Sequence, residues 1–321
     1  MDRRLFLLAA TASAAPAFAI EGVATEEDLP NLRSIVVAGP SGILDQQGFN
    51  GFSPERPTNI KSASKSVISA LVGIAIDRGF LGSPDQPMAP ILMDRIPADP
   101  DDRLSRVTIG HLMSMQAGLE RQSGANYGRW VSSPNWVRHA LAAPFVTEPG
   151  TRMLYSTAST HLLSAILTRV TGRSTLDLAR DWLGAVPEFR ITGWDQDPQG
   201  IYLGGNQMAM STRSLAAFGQ LYLNRGRAPD GTRVLPQTWI EASWVPRTRS
   251  VFSGDGYGYS WFMRRIGGVQ AYYGWGYGGQ MLYVLPAVSR VIAITSNPNV
   301  PSARTGYRDR LHRLSASLIG T

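Results

Sequence analysis

The segment Lys61-Ser62-Ala63-Ser64-Lys65 sets a serine three residues before a lysine, in a chain that otherwise avoids lysine. Of its 31 basic side chains only Lys61 and Lys65 are lysines, and the rest are arginines. Guanidinium keeps its proton throughout the accessible pH range, whereas an amine can lose its proton and act as a base. A serine hydroxyl beside a base is an activated nucleophile for acyl transfer. Residues three apart share a helix face, so Ser62 and Lys65 meet if the segment is helical. Ser-x-x-Lys is a short pattern that also arises by chance, and the surrounding elements have to carry the argument.

From Ser62 to Asp77 the apolar residues Val67, Ile68, Leu71, Val72, Ile74, Ala75 and Ile76 cover almost every face of a helix. A helix that is apolar all round is buried. Ser62 then opens its first turn, where backbone N–H groups lack partners and the dipole favours negative charge. Gly79 supplies the stop. Upstream, Ser34–Ala38 reads as a strand, Gly39-Pro40-Ser41-Gly42 as a turn, and Ile43–Phe49 as the antiparallel return. Residues 50–60 and 83–103 read as loops. Helical stretches are predicted over 108–116, 134–142, 157–171, 174–183 and 211–224. Beyond Pro246 the texture changes to Tyr259–Met263, Val269–Tyr273, Gln280–Leu285 and Val291–Thr295, consecutive antiparallel strands broken by glycine. Tyr307, Leu311, Leu314 and Leu318 mark a terminal amphipathic helix.

The expected fold is α+β, with an antiparallel sheet from the N- and C-terminal segments flanked by helices and an inserted, mainly helical lobe. The sheet lobe covers 20–80 and 245–321, the helical lobe about 81–244, and together they form a single domain over 20–321. A cleft between the lobes, with Ser62 at its edge, is where a ligand is expected.

Residues 1–19 join Arg3-Arg4 to an apolar run of about 14 residues and end Ala17-Phe18-Ala19, a secretory signal peptide of twin-arginine type. The expected location is therefore exported and periplasmic. Removing the segment leaves 302 residues with a net charge of +6, enough chain for a large core. No later stretch is long enough to span a membrane. Cysteine is absent, which excludes disulfides, thiolate metal sites and a cysteine nucleophile. The arginines are scattered and accompany no nucleic-acid motif, so no nucleic-acid partner is expected. His111, His139, His161 and His312 show neither metal spacing nor an acidic partner pattern, so no metal and no cofactor are expected. Gly274-Trp275-Gly276-Tyr277-Gly278-Gly279 matches a dinucleotide fingerprint by letter, but a strand follows it where a helix is required. G-x-S-x-G is missing, which argues against an α/β-hydrolase. Nothing in the sequence bears on oligomeric state.

Ser62-Ala63-Ser64-Lys65, then Tyr155-Ser156-Thr157 ahead of a helix, then Gly274 to Gln280 running into a strand form an ordered set. In these motifs the chain resembles the serine β-lactamase/penicillin-binding superfamily, close to class C β-lactamases and the β-lactamase-like carboxylesterases. The likeness covers Ser62 to Gly79, His111 to Leu119, Glu148 to Gly172, Gly204 to Gly226 and Gly274 to Pro286. It implies Ser62 as nucleophile, Lys65 as base and Tyr155 as proton relay, with the first proton going to either Lys65 or Tyr155. It implies oxyanion donors in the backbone N–H groups of Ser62 and Gln280, and a substrate lying against Trp275, Tyr277, Gly278, Gly279 and Thr157. The second motif usually ends in Asn, where Thr157 stands. The third usually opens with Lys or His, where this chain has Tyr277-Gly278-Gly279. Without that lysine, which helps hold a β-lactam carboxylate, the resemblance implies an esterase or amidase for a small-molecule substrate. A β-lactamase or D-peptidase-type enzyme is the alternative, and a non-turnover envelope sensor or pseudoenzyme is the rival of another class.

Overall fold

The computed structural model describes residues 20–319; the export segment expected over 1–19 lies outside the described residues. The main sheet uses β1 (Leu32–Gly39) and β2 (Gly42–Gly48) from the start of the chain. From its end come β6 (Thr248–Arg249), β7 (Gly256–Tyr257), β8 (Phe262–Ile266), β9 (Val269–Gly276), β10 (Gln280–Leu285) and β11 (Arg290–Ser296), in the order β2-β1-β11-β10-β9-β8-β7-β6. Every pairing is antiparallel, and β1 joins β11 with Val36 opposite Ala293. A small second sheet is made by β3 (Thr58–Asn59), β4 (Gly193–Trp194) and β5 (Met208–Met210), with β5 in the middle.

The helices are α1 (Lys65–Asp77), α2 (Ile109–Met113), α3 (Tyr127–Val131), α4 (Trp136–Leu141), α5 (Thr157–Thr171), α6 (Thr175–Trp182), α7 (Thr212–Leu223), α8 (Gln237–Ser243) and α9 (Tyr307–Ser317). Side chains alternate across a strand, and here both faces of the sheet are covered. Val36, Ala38, Val291 and Ala293 pack in one core with α1, α5 and α7, while Ile35, Val37, Ile292 and Ile294 pack in a second with Tyr307, Leu311 and Leu314 of α9. That double cover explains why β1 and β11 read as near-continuous apolar runs. α7 falls in the stretch expected for the inserted lobe, yet it lies on β1, β10 and β11.

Departures from the sequence reading have local causes. The 83–103 loop contains two 3-10 turns, Ala89–Arg95 and Asp102–Arg106, the second capped by the Asp101 side chain on the Arg103 N–H. The strand expected over Tyr259–Met263 begins at Phe262, because Ser260 takes a left-handed φ of 63° and gives its N–H to the Met113 carbonyl. α3 and α8 are too short for a periodic signal. α1 crosses α8 closely: a Cβ on Gly73 would meet the Trp239 ring at 2.3 Å.

Candidate active site

Ser62 lies in a 3-10 turn, Lys61–Ser64, that runs straight into α1. The Ile60 N–H donates to the Met208 carbonyl, tying the entry to β5. Lys61 follows with φ 50°, a left-handed conformation that costs a non-glycine residue about 1 kcal/mol or more. The Lys61 N–H donates to Asn59 Oδ1 at 2.9 Å and its carbonyl accepts from Ser64 Oγ at 2.7 Å, which hold the turn. Lys61 is more than a solvated charge. It is half-buried, its Nζ donates to Gln207 Oε1 at 2.9 Å, and burial lowers its pKa against the pull of Asp195.

Lys65 begins α1 and is buried, as the phase of the segment required. Its Nζ stands 3.1 Å from Ser62 Oγ and donates to the Gly205 carbonyl at 2.6 Å. Among the described residues no acid is paired with it, and burial pulls its pKa down to about 7. An ordinary lysine is only about one part in a thousand neutral at pH 7; this one is poised near half. Tyr155 comes from the loop ahead of α5. Its ring lies 5.2 Å from Lys65 Nζ and packs on Phe252, Tyr257 and Phe262. Burial pushes the phenol up to about 12, with a hydrogen bond from Ser62 working the other way. Two groups on one hydroxyl are thus held in different states at neutral pH, a neutral phenol and an amine able to take a proton. Such a separation is the pattern that acid and base pairs show.

The third segment needs correction. Pairing of β8 with β9 ends at Tyr273, so Gly274–Gly276 has an open edge, and the Ser62 turn packs against this part of β9. A Cβ on Gly276 would stand 2.2 Å from the Ile60 carbonyl oxygen, and one on Gly274 would stand 3.3 Å from Ser66 Oγ. Gln280, expected as the second oxyanion donor, lies instead on β10, which has strands on both sides and no open edge. Its buried side chain brackets Ser296, donating to the carbonyl at 2.9 Å and accepting from the N–H at 3.1 Å. The Gly276 carbonyl accepts from the Gly279 N–H across the hairpin. By strand alternation the N–H groups of Trp275 and Tyr277 then face the open edge.

Gly278 and Gly279, expected to face substrate, look the other way. A Cβ on Gly278 would meet the Asn297 carbonyl at 2.4 Å, and one on Gly279 would meet Leu311 and Tyr307 at 2.8 Å. Their φ values of 86° and 98° suit glycine and make the hairpin turn. Thr157 is buried and shares its hydroxyl with Ser123 Oγ at 3.0 Å, away from open space. Tyr272 and Tyr273 are packing residues: the first stacks on Trp244 at 4.0 Å and the second holds Asp255 through its hydroxyl. Tyr277 is 49% exposed. Trp275 is partly exposed, with the Arg308 guanidinium 4.9 Å over its ring and Ser302 Oγ on its indole N–H. Beside it opens a cavity of about 460 Å³ lined by Phe252, Ser302, Arg304 and Arg308. Phe252 joins that cavity to Tyr155.

Gly205, Gln207 and Phe252 escaped the sequence reading because they reach the site through folding alone. His161 does have an acidic partner, Asp197, whose Oδ2 lies 3.0 Å from Nε2. Among the described residues no group of three or more His, Asp or Glu could hold a metal ion, and no helix is long and apolar enough to cross a membrane.

With this geometry in place, the comparisons with known proteins agree with one another. The Beta-lactamase family model matches residues 33–317. The 6-aminohexanoate-dimer hydrolase of Paenarthrobacter ureafaciens is 24% identical over 240 residues, covering 70% of this chain and 60% of that protein. The chain thus spans about three-fifths of the length of that relative. A family VIII carboxylesterase superposes with a TM-score of 0.75 at 16% identity, covering 94% of this chain and 97% of the other. The octameric penicillin-binding protein homologue from Pyrococcus abyssi superposes with a TM-score of 0.72 at 19% identity, covering 91% and 74%. At these identities the superpositions establish a shared fold.

Proposed function

The chain belongs to the β-lactamase family, and from that premise we propose that it is a serine hydrolase that cleaves an ester or amide bond through an acyl-enzyme on Ser62. The observation that carries this reading is the 3.1 Å contact between Ser62 Oγ and a buried Lys65 whose pKa is drawn down to about 7.

The steps follow from the geometry. Neutral Lys65 accepts the Ser62 proton as Oγ bonds to the substrate carbonyl carbon. The carbonyl π pair moves to oxygen, and the oxyanion takes hydrogen bonds from the backbone N–H groups of Ser62 and Tyr277. Each such donor is worth about 3 kcal/mol in the transition state. As the intermediate collapses, Tyr155 gives its proton to the departing oxygen or nitrogen and recovers one from protonated Lys65. Water then attacks the acyl carbonyl with the same groups in reverse order, and Ser62 leaves with its proton restored. Lys65 is the acylation base in this scheme because its pKa, and not that of Tyr155, lies near neutrality.

An esterase or amidase is favoured over an efficient β-lactamase. Tyr277 stands where the resemblance puts a lysine, and the part of β9 that packs on the Ser62 turn is glycine at 274 and 276. The adjacent cavity sets Phe252 beside Arg304, Arg308 and Asp309, a lining suited to a substrate with an apolar body and a polar end. The names of the relatives, an aminohexanoate-dimer hydrolase and a carboxylesterase, point to the same two bond types.

Export with cleavage after Ala19 belongs to the same proposal. Ile20 is fully buried and its N–H donates to Asp45 Oδ2 at 2.6 Å. A chain beginning at Ile20 would set an α-ammonium against that carboxylate.

The test is labelling of the protein from Ile20 onward with a fluorophosphonate probe, and hydrolysis of short p-nitrophenyl esters and anilides. Wild type should label and turn over, and Ser62→Ala should do neither. Turnover that survives Ser62→Ala would sink the reading. Efficient nitrocefin hydrolysis would return the chain to the β-lactamases.

A further inference from the structure

One buried titratable pair takes no part in the chemistry above. His161, in the second turn of α5, and Asp197 are both solvent-inaccessible in their side chains, with Nε2 and Oδ2 3.0 Å apart. The indoles of Trp130 and Trp136 meet the imidazole edge-on and close off water. Nδ1 accepts from the Gly204 N–H at 3.4 Å. A ring nitrogen that accepts carries no proton, so the proton sits on Nε2 and is given to Asp197. Asp197 Oδ1 accepts from the N–H groups of Gln199 and Ile201. Burial pushes the Asp197 carboxyl up, but the hydrogen bonds from His161, Ile201 and Gln199 outweigh it and leave the pKa lowered.

The pair anchors the segment that reaches Lys65. Gly204 presses on α5 so closely that a Cβ would stand 2.0 Å from the Thr160 carbonyl oxygen. Gly205, with φ 79°, would meet Thr160 Oγ1 at 2.4 Å and Lys65 Cγ at 2.6 Å. Its carbonyl accepts from Lys65 Nζ at 2.6 Å, closer than the 3.1 Å to Ser62. A neutral amine has two N–H bonds and one lone pair. Once the Gly205 carbonyl holds an N–H, the lone pair is free to face the Ser62 hydroxyl.

We propose that His161 and Asp197 are a positioning pair: they fix the Gly204–Gly205 backbone, whose carbonyl aims the Lys65 lone pair at Ser62. The inference rests on the reading of Ser62 as nucleophile and Lys65 as base. A shift of about 1 Å in such an arrangement costs about a hundredfold in rate, so the pair acts on the rate of acylation and leaves substrate binding alone.

The experiment uses His161→Leu, Asp197→Ala and Asp197→Asn in the protein from Ile20 onward. Asp197 accepts through both oxygens, so Asp197→Asn, with one oxygen and an NH2, loses either the imidazole or the Gln199 and Ile201 N–H groups and serves as the milder lesion. With two lysines in the chain, 13Cε-lysine labelling yields two side-chain signals whose pH titration follows Lys65 without any substrate. In His161→Leu and Asp197→Ala, kcat for a p-nitrophenyl ester should fall about tenfold or more with KM unchanged, and the Lys65 titration midpoint should move. Asp197→Asn should show a smaller loss of kcat and a smaller movement of the titration. Variants with a lowered melting temperature but wild-type kcat and an unmoved Lys65 titration would overturn the proposal. So would a loss confined to KM. If the Leu and Ala variants do not fold, an Asp197→Asn protein with wild-type kcat and an unmoved Lys65 titration would also overturn it. Wild type that fails to label would sink the function reading, and the lysine titration would still decide the positioning role.

Discussion

Gly276 and Ile60 touch backbone to backbone: a Cβ on the glycine would come within 2.2 Å of the isoleucine carbonyl oxygen. The contact locks the end of β9 to the turn carrying Ser62. The spacing of the two proposed oxyanion N–H groups, on Ser62 and Tyr277, is set by this contact.

Gly276→Ala must therefore push the strand from the turn. Loss of one oxyanion donor corresponds to about a hundredfold in kcat, and that is the expected deficit in ester hydrolysis. The fluorophosphonate labelling rate should fall in parallel. Gln280→Ala should disturb the Ser296 pairing and reduce stability, with kcat in the folded fraction within about threefold of wild type, since ordinary non-site substitutions act on stability.

The acylation rate should rise with pH through about 7, the value to which burial draws Lys65. The active form is the neutral amine, so the rate is low below that point and levels above it. Lys65→Arg keeps the charge, cannot deprotonate, and should abolish labelling. A pH–rate profile of probe labelling checks both.

Lys65 should also cost stability. Its folded pKa of about 7 lies below the ordinary value of 10.5. Between these the unfolded chain binds more protons than the folded one, so stability rises with pH over that window and the cost is complete below about 7. Lys65→Met, similar in shape and uncharged, should therefore be inactive yet more stable at pH 7, by about 1–3 kcal/mol. Urea unfolding at pH 6 and pH 9 measures it, and the gain should be smaller at the higher pH.

His312 predicts a second pH dependence. Burial, with Arg264 and Arg308 nearby, lowers it to about 3, and its Nδ1 pairs with the Tyr283 hydroxyl. The folded state keeps it neutral while the unfolded chain takes a proton below about 6.5. Stability should thus fall as pH drops from about 6.5 toward 3, by a few kcal/mol at most. His312→Phe should flatten that slope in thermal melts between pH 7 and pH 4.

Asp45→Asn should lower the melting temperature of protein that begins at Ile20 by several degrees, since a partly buried ammonium–carboxylate pair is worth about 1–2 kcal/mol. Acetylating the amino terminus should remove the charge and shrink the sensitivity to Asp45→Asn, leaving the part due to the amide N–H that still donates to Asp45 Oδ2. Equal melting temperatures in all forms would dismiss the pairing.

Much of this was legible in the sequence where periodicity and burial coincide. α1, α5, β10 and α9 announce themselves through apolar spacing, and Ser62 and Lys65 meet because three residues make nearly one helical turn. The third segment is ambiguous in sequence because Gly274-Trp275-Gly276 and Tyr277-Gly278-Gly279 look alike by letter. Only the hairpin register tells which glycines face the Ser62 turn and which turn away toward Asn297 and α9. His161 and Asp197 are 36 residues apart in the chain, with the rest of α5, α6 and β4 between them, so no local pattern encodes their meeting. The same holds for Gly205, whose role lies in a carbonyl and so leaves no side-chain signature.

The two amines have practical consequences for handling the protein. Lys65 is sealed and Lys61 is half-buried at the rim beside Ser62, while arginine supplies the rest of the positive surface. Succinimide esters, glutaraldehyde and amine-coupling resins therefore have no innocuous side-chain handle here. Any molecule they capture by a side chain is attached through Lys61, with the catalytic cleft turned toward the support, and a tether built on a carboxylate or an added tag would leave it open.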